Sequence, residues 1–206
     1  MKNPLHYQIS DYDCGPTSML NAISFLFQRE EIPPEIIRNI MIYCLDCYNI
    51  EGIAGKSGTS RVAMMFLSNW LNGFGHTKQL PISSRYISGK SVYLGGESYI
   101  NDTLRRGGAV VIRLFLDEWH YVLFTGAKDE NIYVFDPYFH EESYEDQDIV
   151  WTLEHPEAYN CIVPEERFNS QELMLYALGP YEGREAVLLF NEKTVITADD
   201  TIEYFI

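Results

Sequence analysis

Cys14 stands six residues after Gln8, in the stretch Gln8-Ile9-Ser10-Asp11-Tyr12-Asp13-Cys14-Gly15-Pro16-Thr17-Ser18. A thiol at the start of a helix feels the positive end of the helix dipole, which stabilises a thiolate by roughly 0.3–1 kcal/mol when exposed and up to about 2 when partly buried. The N–H groups of a first turn have no partner within the helix and can hold an oxyanion. The residues after Cys14 spell out such a helix. Asp13 suits the N-cap, Pro16 falls in the first turn where a missing N–H costs nothing, and Met19, Leu20, Ile23, Leu26 and Phe27 recur at helical spacing. This is how a cysteine nucleophile is usually built.

Such a nucleophile needs a base, and the base needs a group to orient it. Of the five histidines, four have plain explanations. His6 precedes the motif near the N-terminus, His76 lies in a glycine-bounded turn, His140 adjoins an acidic loop and His155 precedes Pro156. His120 differs, because it sits in Trp119-His120-Tyr121-Val122-Leu123-Phe124, a strand otherwise made of aromatic, β-branched and aliphatic residues. An imidazole there is either a satisfied core histidine or a functional one. Asp136 ends the next apolar run, Ile132-Tyr133-Val134-Phe135-Asp136-Pro137, and if buried it needs a partner.

Register decides whether His120 is that partner, since side chains alternate faces along a strand. A three-residue loop of Lys128 to Glu130 would pair 120 with 138 and make Asp136 a diagonal neighbour of His120, roughly 7–8 Å away between Cα atoms. A two- or four-residue turn centred between Asp129 and Glu130 would put the two on opposite faces unless a bulge restored the match. The sequence leaves both registers open.

The elements that must hold these residues change character along the chain. Helices are expected from about Gly15 to Gln28, from about Pro34 to Asn49 and from about Ser60 to Asn72, the third stopped by Gly73 and Gly75. Then follow a short strand from Lys90 to Gly95, a helix from Glu97 to Arg106 closed by Gly107 and Gly108, and a continuous apolar strand from Ala109 to Leu116. Trp119 to Gly126 and Ile132 to Phe135 read as a hairpin. Ile149 to Leu153 and Ala186 to Phe190 read as strands, with a helix from Gln171 to Ala177. Helices first and strands later is the pattern of an α+β domain, a helical half packed on an antiparallel sheet. A single domain over about 1–160 is expected, helical to about 80 and sheet beyond. Residues 161–206 form a C-terminal extension packed on it, adding strands, covering a cleft or mediating self-association.

With 206 residues, 46% of them hydrophobic, the chain is long enough to bury about 70% of its extended surface. Its 15 Lys and Arg against 30 Asp and Glu cannot build the positive stripe that nucleic acid or an anionic membrane requires. No apolar run follows Lys2 and none reaches the length of a membrane span, so a cytoplasmic location is expected. The run Glu141, Glu142, Glu145, Asp146 and Asp148 reads as a solvated loop, with attraction of basic peptide the second reading. Four cysteines in a chain of this length do not resemble a disulfide framework. Cys44 and Cys47 form a lone CxxC within a helical pattern, without further ligands at metal-binding spacing, and Cys161 reads as a buried strand residue. Gly52-Ile53-Ala54-Gly55-Lys56-Ser57 is too tightly spaced for a phosphate loop.

Taken in order, Gln8, Cys14-Gly15-Pro16-Thr17-Ser18, Gly58-Thr59-Ser60, His120 in a strand and Asp136-Pro137 after the next resemble the papain-like cysteine peptidases. The resemblance is to the bacteriocin-leader (double-glycine) peptidase type and its standalone relatives, and covers about residues 5–140. It implies the papain-like fold and Cys14 as nucleophile. It makes His120 the general base and then acid, Asp136 the orienter of the imidazole, and Gln8 the oxyanion donor beside the Cys14 N–H. It implies cleavage of a peptide or amide bond through an acyl-thioester, without a cofactor. Acyl transfer, or an inactive peptide-binding module of the same fold, are the alternatives. Asp11, Asp13, Asp117 and Glu118 crowd the motif with negative charge, which opposes a thiolate and favours protonated His120. Substrate specificity and oligomeric state are not legible in these residues.

Overall fold

A computed structural model describes residues 1–77, 79–140 and 148–197. Glu141, Glu142, Glu145 and Asp146 of the acidic run, and Thr201 to Ile206, lie outside the described residues. The helices are α1 (Cys14–Leu26), α2 (Pro34–Cys44), α3 (Arg61–His76), α4 (Tyr99–Arg105) and the short α5 (Glu165–Phe168). The strands are β1 (Ile82–Ser88), β2 (Ala109–Leu116), β3 (Glu118–Lys128), β4 (Asn131–Phe135), β5 (Val150–Trp151), β6 (Cys161–Pro164) and β7 (Glu185–Asn191). Among the described residues these seven form one sheet in the order β1-β7-β2-β3-β4-β6-β5, with every neighbour antiparallel. The class is therefore α+β.

Both faces of the sheet are covered, which is why β2 is apolar without alternation. Ala109, Val111, Tyr121, Leu123, Phe135, Val187 and Leu189 pack in one core with Met19 and Ile23 of α1, Ile36 and Ile40 of α2, and Met64, Leu67 and Leu71 of α3. Val110, Ile112, Val122, Phe124, Val134, Ala186 and Leu188 pack in the other with Ile100 and Leu104 of α4, and with Phe168, Tyr176 and Leu178. Burying each such aliphatic side chain contributes roughly 1.5–3 kcal/mol relative to exposure. Beyond residue 160 the chain supplies β6 and β7, and β7 sits inside the sheet between β1 and β2.

Several boundaries differ from the sequence expectation, each for a tertiary reason. The second helix ends at Cys44 instead of running to Asn49. Beyond it, Cys47 N–H donates to Gly58 O, Asn49 N–H to Ile53 O, and the Asp46 carboxylate accepts from Ser60 N–H. The third helix runs through Gly73 and Gly75 to His76. Gly75 is needed for contact, since a Cβ there would lie 2.0 Å from the Ile82 carbonyl oxygen. The stretch from Lys90 to Gly95 is no strand, because the Leu94 N–H and carbonyl both bond the Asn169 side chain instead of a ladder. The strand in that region is β1, which starts at Ile82 instead of the expected Lys90 and pairs along its length with β7. No helix forms over Gln171 to Ala177; Tyr176 N–H donates to Phe115 O and Phe115 N–H to Ala177 O, each at 2.8 Å.

Candidate active site

The β3–β4 hairpin turns on two residues, with Lys128 paired to Asn131. Asp129 and Glu130 both adopt left-handed backbone, φ 50° and 63°, as a type I′ turn requires. Carried up the ladder without interruption, this register would set Asp136 against Leu123 and place it on the face away from His120. The ladder is interrupted. Phe124 pairs with Val134 and Gly126 with Tyr133, so Thr125 is an unpaired bulge residue. Above it Leu123 pairs with Phe135, and Asp136 and His120 become same-face diagonal neighbours. The His120 Nε2 and Asp136 Oδ1 atoms are 2.8 Å apart.

Asp136 is completely buried and each part of it is engaged. Oδ1 also accepts the Tyr138 N–H at 2.8 Å, while Oδ2 accepts the Tyr176 hydroxyl at 2.8 Å and lies 3.5 Å from His140 Nε2. The Asn160 side chain clamps the Asp136 backbone, accepting its N–H and donating to its carbonyl, both at 2.8 Å. Burial opposes ionisation, yet the His120 charge and hydrogen bond, with His140 and the Tyr138 N–H, hold the carboxyl well below the usual carboxylate range. Burial likewise opposes a charge on His120, but Asp136, through charge and hydrogen bond, and Cys14, through a hydrogen bond, keep the imidazole protonated well above the ordinary histidine range. With Nε2 committed to Asp136, Nδ1 is the ring nitrogen left for the thiol.

Cys14 is the first residue of α1 and is 8% exposed. Asp13 occupies the N-cap position without a capping bond from its side chain. Its carboxylate instead gathers the preceding loop, accepting the Ile9 N–H at 3.0 Å, the Ser10 N–H at 2.6 Å and the Ser10 hydroxyl at 2.7 Å. Two contacts seat the helix. A Cβ on Gly15 would lie 2.1 Å from Thr59 Oγ1, so only glycine fits where Gly58-Thr59-Ser60 backs the Cys14 turn. The buried Ser18 hydroxyl donates to the Tyr121 carbonyl at 3.0 Å, tying the cysteine helix to the residue beside His120. Tyr121 is itself fixed, its hydroxyl donating to the buried Glu185, which also accepts from Tyr86.

Gln8 reaches the same place through its backbone, donating its N–H to Pro137 O at 2.8 Å. Its side chain lines a cleft of about 720 Å³ with Asp11, Leu116, Asp117, His120 and Tyr138, a cleft to which Glu118, His140 and Leu175 also contribute. One amide N–H of Gln8 donates to Ser10 O at 2.8 Å, and Oε1 is buried without a hydrogen bond. His140, given a plain role by its sequence position, thus belongs to the cleft. Burial, with Asp46, pushes the Cys44 thiol far up, raises Cys47, and burial pushes Cys161 up to about 12.

Asn160, Tyr176 and Thr125 carried no sequence signal. Asn160 and Tyr176 act through contacts 24 and 40 residues from Asp136. Tyr176 also holds φ 63°, a conformation costing a bulky residue on the order of 1–2 kcal/mol. Among the described residues no group of three or more His, Cys, Asp or Glu is placed to hold a metal ion, and no helix is long and apolar enough to cross a membrane.

No family model matches the chain, and no curated protein matches it. Among solved structures, the chain is similar to the peptidase domain of Streptococcus mutans ComA, at 15% sequence identity and a TM-score of 0.41, covering 90% of this chain and 98% of that one.

Proposed function

We propose that this protein is a thiol-dependent hydrolase of peptide or amide bonds, built on a papain-like arrangement. The observation that carries the reading is the 2.8 Å contact of His120 with the buried Asp136, with Cys14 at the start of α1 among the groups that raise the His120 pKa. A histidine held protonated by a buried carboxylate beside a thiol at a helix start is the arrangement that activates a cysteine nucleophile.

In this reading Cys14 sulfur attacks the substrate carbonyl carbon while its proton resides on His120. The carbonyl oxygen becomes an oxyanion, bound by the Cys14 backbone N–H and by the second amide N–H of Gln8. As the tetrahedral intermediate collapses, His120 gives its proton to the departing amine and the C–N bond breaks. The acyl group is left on Cys14 as a thioester. Water then attacks the thioester with His120 taking its proton, and the Cys14 sulfur leaves with that proton returned. Asp136 keeps the imidazole in one tautomer and orientation throughout. The carboxylates of Asp11, Asp117 and Glu118 along the cleft favour a substrate carrying basic groups.

Labelling with iodoacetamide near neutral pH, mapped by mass spectrometry, tests the activation directly. Rapid modification of Cys14 ahead of Cys44, Cys47 and Cys161, slowed in His120→Ala and Asp136→Asn, is the expected result. Indiscriminate labelling at one rate in all three proteins would overturn the reading.

A further inference from the structure

The phenol of Tyr176 sits on the one oxygen of Asp136 that His120 does not use. A carboxylate turns easily about its last torsion, so a single contact to His120 would not hold Asp136 in place. Oδ1 takes His120 Nε2 and the Tyr138 N–H, and Oδ2 takes the Tyr176 hydroxyl at 2.8 Å. With both oxygens bonded from different directions, the carboxylate plane is set. We propose that Tyr176 is a positioning residue of this site, its hydroxyl fixing the Asp136 carboxylate so that Oδ1 meets His120. The inference rests on the reading of Cys14, His120 and Asp136 given above.

The surrounding segment is organised around presenting this one side chain. Tyr176 is fully buried at φ 63°, a backbone region that tyrosine rarely adopts and that persists only where neighbours impose it. The neighbours are plain. Tyr176 N–H bonds Phe115 O, Leu178 N–H bonds Phe168 O, and the buried Arg184 guanidinium donates to the carbonyls of Val92, Asn169, Ser170 and Gly179. Gly179 follows at φ 66° against the Trp119 ring, where a Cβ would lie 2.8 Å from the indole. A phenylalanine would fill the same space against Phe168, so packing alone does not call for the hydroxyl. Among the described residues, the titratable groups facing Asp136 are His120 of β3, His140 after β4, Tyr176, and Cys161 of β6; Cys14 of α1 faces His120.

The discriminating variant is Tyr176→Phe, read by the low-field proton NMR signal of the His120 Nε2–H and by the pH–rate profile of Cys14 alkylation. His120→Ala assigns the signal. In Tyr176→Phe the signal is expected to move upfield or broaden, and alkylation at neutral pH to slow about tenfold, the worth of one hydrogen bond to a charged group. The alkaline limb is expected at lower pH, because an imidazolium with a swinging carboxylate loses its proton sooner. Leu178→Ala serves as the control, since it loosens the same segment without touching Asp136; it is expected to lower the unfolding temperature and leave the signal in place. A Tyr176→Phe protein with the wild-type signal and profile overturns the proposal. So does a Leu178→Ala protein that shifts the signal as much, and so does a wild type with no such signal. Wild-type Cys14 that labels no faster than the other cysteines counts against the hydrolase reading alone, because the NMR comparison still reports on Asp136.

Discussion

His120 meets Asp136 because the pairing between their strands skips one residue, Thr125. The two-residue turn at Asp129 and Glu130 sets one parity and the bulge reverses it, and only the sum of the two puts imidazole and carboxylate on one face.

That relationship makes a counterintuitive expectation about deletions. Removing Thr125 takes out the unpaired residue and leaves both Leu123–Phe135 and Lys128–Asn131 as they are. Cys14 labelling in the Thr125 deletion is therefore expected close to the wild-type rate. Deleting Leu123, inside the paired ladder, moves His120 by one place and is expected to abolish the preference for Cys14. Peptide mapping after brief alkylation distinguishes the two, and equal loss in both would show that the bulge has a role other than register.

Stability should respond to pH through Asp136. Its folded pKa lies below the unfolded value, so its contribution is complete above an unfolded pKa near 3.8 and is lost as pH falls from there toward the folded value. His120 is shifted the other way: its contribution is complete below an unfolded pKa near 6.5 and fades as pH rises through the raised folded value. Melting curves of wild type between pH 5 and 3, about the Asp reference value, should therefore fall more steeply than those of Asp136→Asn. At neutral pH His120→Ala leaves a buried carboxylate without its main partner, a loss of roughly 3–5 kcal/mol and a drop in Tm of about 6–20 °C. Parallel wild-type and Asp136→Asn curves across the acid range would contradict the paired-carboxylate account.

The seat of the Cys14 turn can be probed by suppression. Gly15→Ala forces a Cβ against the Thr59 side chain. Overpacking of this kind costs about 1–3 kcal/mol, or roughly 2–12 °C in Tm, and is expected to slow Cys14 labelling as the first turn shifts. Thr59→Gly removes both clashing atoms, so the double variant should recover labelling that Gly15→Ala loses. Calorimetry and labelling on the three proteins give the answer, and a double variant no better than Gly15→Ala would move the constraint elsewhere.

Gln8 should separate thiol reactivity from turnover. Alkylation by iodoacetamide develops no oxyanion, so Gln8→Ala is expected to label at nearly the wild-type rate. Hydrolysis of an amide or ester substrate passes through an oxyanion, and there the same change should lower the rate by about 10²–10³. Steady-state assays beside the labelling assay would reveal the split, and equal effects on both would place Gln8 in holding the loop at Ser10 instead.

Much of the architecture was legible because it is carried by local signals. The periodicity of Met19, Ile23 and Leu26, and the position of Pro16, predict a helix from about Gly15 to Gln28 where α1 spans Cys14–Leu26, and the apolar run from Ala109 to Leu116 is a strand to the residue. The charged and special residues Gln8, Cys14, His120 and Asp136 stood out because each is costly or out of place in its local setting. The sequence also reduced the question of their meeting to a matter of parity.

What tertiary structure alone decided is the outcome of that parity and the company Asp136 keeps. A bulge at Thr125 depends on how β3 and β4 twist and pack between two cores, which no turn residue announces. The glycines at 73 and 75 weaken a helix locally, yet packing against β1 carries α3 through them. Asn160 and Tyr176 reach Asp136 across long stretches of chain, and Tyr176 does so from a backbone conformation that its own propensities disfavour. Contacts of that kind are bought by the burial of many other residues, so they are decided when the sheet closes and cannot be read one residue at a time.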